Sequence, residues 1–221
     1  MFWRTLAWAL PSDVPISATM PATVDALLPV SLLVSVRGAD TPEDADAEYV
    51  HEARNRRLGL SDTVYAQIQR YTDDARRNRR LPIQDALAIA TLIGRRPDAE
   101  TVFRSAGKRL AGQMYESIST PRRGFLRFLP AFVSRPMALA AGRQLSRRYL
   151  NGSLSRVGGY VMLAVEDSAT VGTAPLGIGC TFYEASFGEL LRLLVDGGGA
   201  IEHVRCAGRG EGSCEWRAEW R

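Results

Sequence analysis

The stretch 179–220, GCTFYEASFGELLRLLVDGGGAIEHVRCAGRGEGSCEWRAEW, contains all three cysteines of the chain and one of its two histidines. Within it, Phe187, Leu190, Leu191 and Leu194 recur at helical spacing, so an amphipathic helix is expected over Thr181–Val195. Gly197, Gly198 and Gly199 end that helix. Segments 200–206 and 214–220 then read as two strands joined by a glycine-rich turn. Further upstream, 157–165 (VGGYVMLAV) reads as another strand. Helices first and strands later point to an α+β fold rather than a doubly wound sheet.

The cysteines and His203 form the pattern Cys-x22-His-x2-Cys-x7-Cys, from Cys180 through His203 and Cys206 to Cys214. The hairpin brings Cys206 and Cys214 together, and Cys180 stands just before the helix that leads into it. Three thiolates and one imidazole make a closed, structural zinc site, whereas a catalytic zinc usually keeps one position for water. Two other readings stay open on spacing alone. Buried thiols can act as small apolar groups. Cys206 and Cys214 can pair as a disulfide in an oxidising compartment. Glu202 is a fallback ligand should the strand register slip by one.

Working outward, the N-terminal half reads as helical. Ser61 is a candidate N-cap, followed by the apolar stripe Val64, Ile68, Tyr71 and Ala75. Further helices are expected over 82–93 and 98–117. Gly107 and Gly112 inside the second of these suggest close approach of another element. Over 121–150 one or two helices are expected, broken at Pro130 and restarted at Ser134 with Pro136 in the first turn. Residues 1–36 carry Pro11, Pro15, Pro21 and Pro29 and read as short extended pieces and turns. Residues 38–53 contain six acids and no basic residue and read as a linker. The expected organisation is an extension over 1–60, with its acidic linker, and a single domain over 61–221.

Charge is unevenly spread. The 221-residue chain carries a net +4, yet 104–148 holds ten basic residues and one acid, Glu116. Such a stretch can face an anionic membrane, a partner complex or plain solvent. Nucleic acid is not an expected partner. The longest apolar run, 26–36, is about half of the roughly 20 residues a bilayer requires, so no spanning helix is expected. Residues 1–12, with Phe2, Trp3 and Trp8, can lie on a membrane surface. The expected location is cytoplasmic, with peripheral contact to the inner membrane through 1–12 and 104–148. No P-loop is present, no G-x-G-x-x-G follows a strand, and the cysteines are too few for a zinc site and an iron–sulfur cluster together.

The arrangement of Cys180, the following helix, Cys206, the glycine-containing turn and Cys214 resembles the C-terminal half of the 4-vinyl reductase domain family. Tyr183-Glu184-Ala185-Ser186-Phe187 and the arginine-rich stretch 121–150 look most like its bacteriochlorophyll branch. Ala106-Gly107-Lys108-Arg109-Leu110-Ala111 resembles its early helix. The family also includes sensor domains of phenol- and toluene-responsive activators, in which an acidic residue and three cysteines hold zinc; His203 takes the acidic position here. The resemblance implies helices packed on a twisted antiparallel sheet, similar to vesicle-tethering-complex subunits, and dimerisation through helices. It implies an apolar pocket for a small aromatic or tetrapyrrole ligand such as a bacteriochlorophyll precursor. Candidate lining residues are Tyr160, Met162, Phe182, Tyr183, Phe187 and Trp216, although for any single one of them plain core is the favoured reading. The implied function is a zinc-stabilised ligand-binding protein acting as carrier, assembly factor or sensor. The alternatives are a vinyl reductase of bacteriochlorophyll biosynthesis, for which no hydride or electron source is visible, and a subunit docked on a membrane complex.

Overall fold

Hydrophobic residues at helical spacing dominate the first two thirds of the chain, and alternating ones dominate the last third; the structure follows that division. The computed structural model describes residues 22–41, 58–128, 130–195 and 199–220. In chain order the elements are β1 (Thr23–Asp25), α1 (Leu27–Asp40), a 3-10 turn (Leu58–Leu60), α2 (Asp62–Arg76) and β2 (Arg80–Pro82). They continue with α3 (Ile83–Gly94), α4 (Ala99–Glu116), α5 (Thr120–Phe128), α6 (Ala131–Tyr149), β3 (Gly152–Val157) and β4 (Tyr160–Val165). A 3-10 segment (Pro175–Cys180), α7 (Thr181–Val195), β5 (Ile201–Arg205), a 3-10 turn (Ala207–Arg209) and β6 (Cys214–Glu219) complete them. The fold is α+β, with a four-stranded antiparallel sheet ordered β3-β4-β6-β5 and a small β1–β2 pair.

Helix α1 is the largest departure from the expected organisation. Residues 1–36 were expected to form short extended pieces, yet 27–40 are one helix. Pro29 does not prevent it because a proline in the first turn lacks an N–H that would have no intrahelical partner anyway. Asp25 caps the start by accepting from the Leu27 N–H at 3.0 Å. Leu28, Leu32 and Val36 are buried in the same hydrophobic core as Phe103, Leu110 and Phe187. The unit boundary expected at residue 60 is therefore corrected: 23–40 are part of the core. The expected membrane-facing segment 1–12 and most of the acidic linker lie outside the described residues.

The junction on either side of residues 42–57 is polar. Arg96 Nη2 donates to Asp40 Oδ1 at 2.7 Å, and the same guanidinium donates to Asp98 at 2.8 Å. The Gly59 N–H donates to Asp40 Oδ2 at 2.8 Å. Asp40 is 4% exposed, so its charge is acceptable only because it is paired. The Asp98 carboxyl is held below its ordinary range chiefly by the hydrogen bonds from Arg96.

Helices α4 and α7 cross in close contact, and the reason is Gly107. A Cβ there would lie 2.2 Å from the Phe182 carbonyl oxygen and 3.0 Å from the Ser186 nitrogen. Gly107 thus meets its expectation of close approach, whereas Gly112 has nothing within 4 Å of a built Cβ. Ser61 caps α2 as expected, accepting from the Val64 N–H at 3.3 Å. Helix α6 starts at Ala131 after Pro130 and runs through Pro136, rather than restarting at Ser134. Residues 157–165 are not one strand: Gly158, with φ +59°, turns the chain between β3 and β4. No helix among the described residues is long and apolar enough to cross a membrane.

Candidate metal centre

Strand alternation decides what faces the helices. Along β4 and β6, Val161, Leu163, Val165, Cys214, Trp216 and Ala218 are buried on the inner face. Residue 203 pairs with Trp216 across the β5–β6 ladder, so His203 shares that face. His203 and Cys206 are three apart, an odd spacing that would put them on opposite faces of a regular strand. The ladder carries an irregularity between His203 and Arg205, where two steps on β5 match one on β6. That bulge restores the parity and turns both side chains inward.

The result is a cluster. One candidate ligand atom from each of Cys180, His203, Cys206 and Cys214 lies within 4.8 Å of all the others. The Cys180 and Cys206 sulfurs are 3.7 Å apart. All three cysteines are buried and none is in a disulfide. Four residues that the sequence spacing singles out are thus brought together from the end of a 3-10 segment, an edge strand and its neighbour. Glu202 lies on the outer face, where Arg217 Nε donates to it at 3.1 Å; it is not part of the cluster.

Each donor is positioned by local structure. Cys180 follows Gly179, where a Cβ would sit 1.9 Å from the Thr170 carbonyl oxygen. Thr170 Oγ1 donates to the Gly179 carbonyl at 2.6 Å and holds this approach. The His203 ring stacks on Trp216 at 4.8 Å and 7°, and Trp216 in turn stacks on Tyr183 at 5.5 Å. The Tyr183 hydroxyl accepts from the Ala169 N–H at 3.1 Å. A column of three rings therefore fixes the imidazole from the core side. The turn after Cys206 is built on Gly210 and Gly212, with φ +84° and +82°, a backbone region glycine adopts without strain. In that turn the Cys206 N–H donates to Glu211 Oε2 at 2.6 Å, and the Ala207 N–H donates to the Cys214 sulfur at 3.2 Å. These two contacts were missed in the sequence. The only available signal was the glycine-flanked Glu211, since backbone donors leave no trace in residue identity.

The electrostatics favour a cation at this point. Cys180 donates to Cys214 and draws the Cys214 thiol well below its ordinary value, with the Ala207 N–H and His203 acting in the same direction. The same contact, followed by burial, pushes the Cys180 thiol far up. One thiolate forms readily here, but several adjacent thiolates do not form without a positive charge among them. The His203 Nε2 is buried and has no hydrogen-bond partner among the described residues. An unpartnered imidazole nitrogen beside three buried thiols is a donor set that suits a soft or borderline metal ion.

The six expected pocket residues do not line one space. Phe182, Tyr183, Phe187 and Trp216 are packed in the core and at most 1% exposed. Tyr160 and Met162 project from the other face of the sheet, and Arg217 lies over the Tyr160 ring at 4.8 Å. No family model matches the chain, and neither a curated protein nor a solved structure matches it.

Proposed function

We propose that this chain is a zinc-stabilised small-molecule-binding protein whose metal is structural. The observation that carries the zinc reading is the convergence of Cys180, His203, Cys206 and Cys214 within 4.8 Å in a buried site. Four protein donors leave no position for a reacting water, so the ion closes the β5–β6 hairpin onto the start of α7 and does no chemistry of its own. The resemblance of 179–220 to the 4-vinyl reductase domain family supplies the rest of the proposal. It comprises a sheet-and-helix arrangement similar to vesicle-tethering-complex subunits, a homodimer, and an aromatic or tetrapyrrole ligand carried or sensed rather than converted. Since the buried aromatics fill the space between sheet and helices, a bulky ligand requires a cavity elsewhere or a separation of α4 from α7.

Metal analysis of purified protein tests the first part. We expect close to one zinc per chain, lost together with the stability of the hairpin when a chelator is added. Folded protein free of zinc would overturn it. The ligand part is tested by absorption and mass spectra of the protein as purified. A bound pigment or aromatic molecule supports it. Titration with divinyl tetrapyrroles and phenols that leaves the spectrum unchanged removes it.

A further inference from the structure

We propose that the outer face of α6, together with the adjoining β3–β4 hairpin tip, docks on an anionic lipid bilayer; this is independent of the zinc reading. Between Glu116 and Glu166 the sequence has no aspartate or glutamate but eight arginines. On α6, Phe132, Pro136, Ala140, Arg143 and Arg147 recur at steps of three or four and are exposed, so they share one face. Phe132 is 79% exposed and the flanking Met137 39%. The apolar side chains occupy the N-terminal half of the helix, with Arg135 among them, and Arg143 and Arg147 the C-terminal half.

The hairpin extends this face. Arg143 Nε donates to the Leu154 carbonyl at 3.2 Å, which lays β3 back along α6. From Leu154 to Val157 a strand covers about 10 Å. The same distance takes about seven residues of helix, from Arg143 back to Pro136. Arg156, exposed and paired with Val161 on the sheet face that packs against α6, extends this face toward Met137, whereas Val157 pairs with Tyr160 and projects from the other face. On α6, exposed apolar side chains interleaved with arginine, within a stretch that has no carboxylate between Glu116 and Glu166, match the acyl–headgroup boundary of an anionic membrane. A nucleic acid or other soluble polyanion would use the arginines but leave Phe132 and Met137 in water.

The test is co-sedimentation of the full chain with phosphatidylglycerol-containing vesicles and with pure phosphatidylcholine vesicles. We expect binding to the first and not to the second, weakened by added salt. Arg135→Glu with Arg147→Glu should lower the affinity by at least roughly 25-fold, about fivefold per arginine. Phe132→Ser with Met137→Ser should lower it roughly tenfold, with circular dichroism unchanged in both variants. Absence of binding, or binding indifferent to the charge reversals, overturns the proposal. Binding lost on charge reversal but unaffected by Phe132→Ser with Met137→Ser marks a generic polyanion surface and also overturns it. So does binding that survives every α6 variant but is lost in Trp3→Ala with Trp8→Ala.

Discussion

Helix α1 buries nine of its fourteen residues, whereas none of the five residues of strand β5 is fully buried. Both must stay in place for the fold to hold. The helix does so because α2, α3 and α4 surround it with apolar contacts. Among the described residues the strand has one hydrogen-bonded neighbour, and it has a bulge in its middle and a short inward face consisting of Ile201 and His203. A segment that buries much apolar surface is held mainly by the hydrophobic effect. A sparse edge segment requires a directional anchor, and here the anchor is the four-donor cluster at its end.

The largest effect should come from removing that anchor. With free zinc about a thousandfold above its dissociation constant, binding contributes about 4 kcal/mol, and chelation or Cys206→Ser removes it. Hydrogen exchange should then show β5 and β6 opening first while amides of α1 and α4 remain protected. If both regions lose protection together, the contrast fails and the chain is a single cooperative unit. Next is Asp40→Ala, which takes the buried acceptor from Arg96 and Gly59 and should cost about 3 kcal/mol in denaturant unfolding. That loss should leave zinc affinity unchanged, because the junction belongs to the helical region.

Gly107→Ala sharpens the comparison from the middle, since its Cβ would press on the Phe182 carbonyl where the two regions meet. A cost of about 2 kcal/mol is expected, together with weaker zinc binding, because Cys180 precedes the helix that must shift. Ser61→Ala removes the α2 cap and should cost about 1 kcal/mol with no effect on the metal. The smallest effect concerns acid. The Asp98 carboxyl lies below its ordinary value because Arg96 donates to it. Its contribution is fully present above the unfolded value and is lost as pH falls through the folded one. An Asp98→Asn variant should therefore show a shallower loss of stability below about pH 4.

The comparison also explains what the sequence revealed. Helix α7 is legible to the residue, since Thr181–Val195 has a clean apolar stripe bounded by Cys180 and the glycines. The four cluster residues are legible because cysteine and histidine are scarce enough for their spacing to stand out. The bulge between His203 and Arg205 was not foreseen, although the odd interval between His203 and Cys206 requires one if both are to face inward. Helix α1 was hidden because Pro29 reads as a breaker unless its place in the first turn is known. Strand β3 was missed, and only its last residue, Val157, was read together with β4 as one strand, because two glycines inside an apolar run do not announce a reversal. The supports of the cluster, the Ala207 and Cys206 N–H groups, belong to the backbone and carry no residue signature.

Strand β5 lies at the outside of the sheet, and among the described residues its far edge has no neighbouring strand. An unpaired edge is a template for the edge of another chain, and proteins that leave one open are prone to aggregate. With its end tied down through His203 and Cys206, β5 is held twisted and short. Released, it and β6 become a loose hairpin with one edge free to pair with an identical one. On the zinc reading proposed above, the metal governs more than melting temperature: it sets the fraction of newly made chains that stay dispersed, and cells short of zinc should accumulate this protein in insoluble form before its helices have begun to unfold.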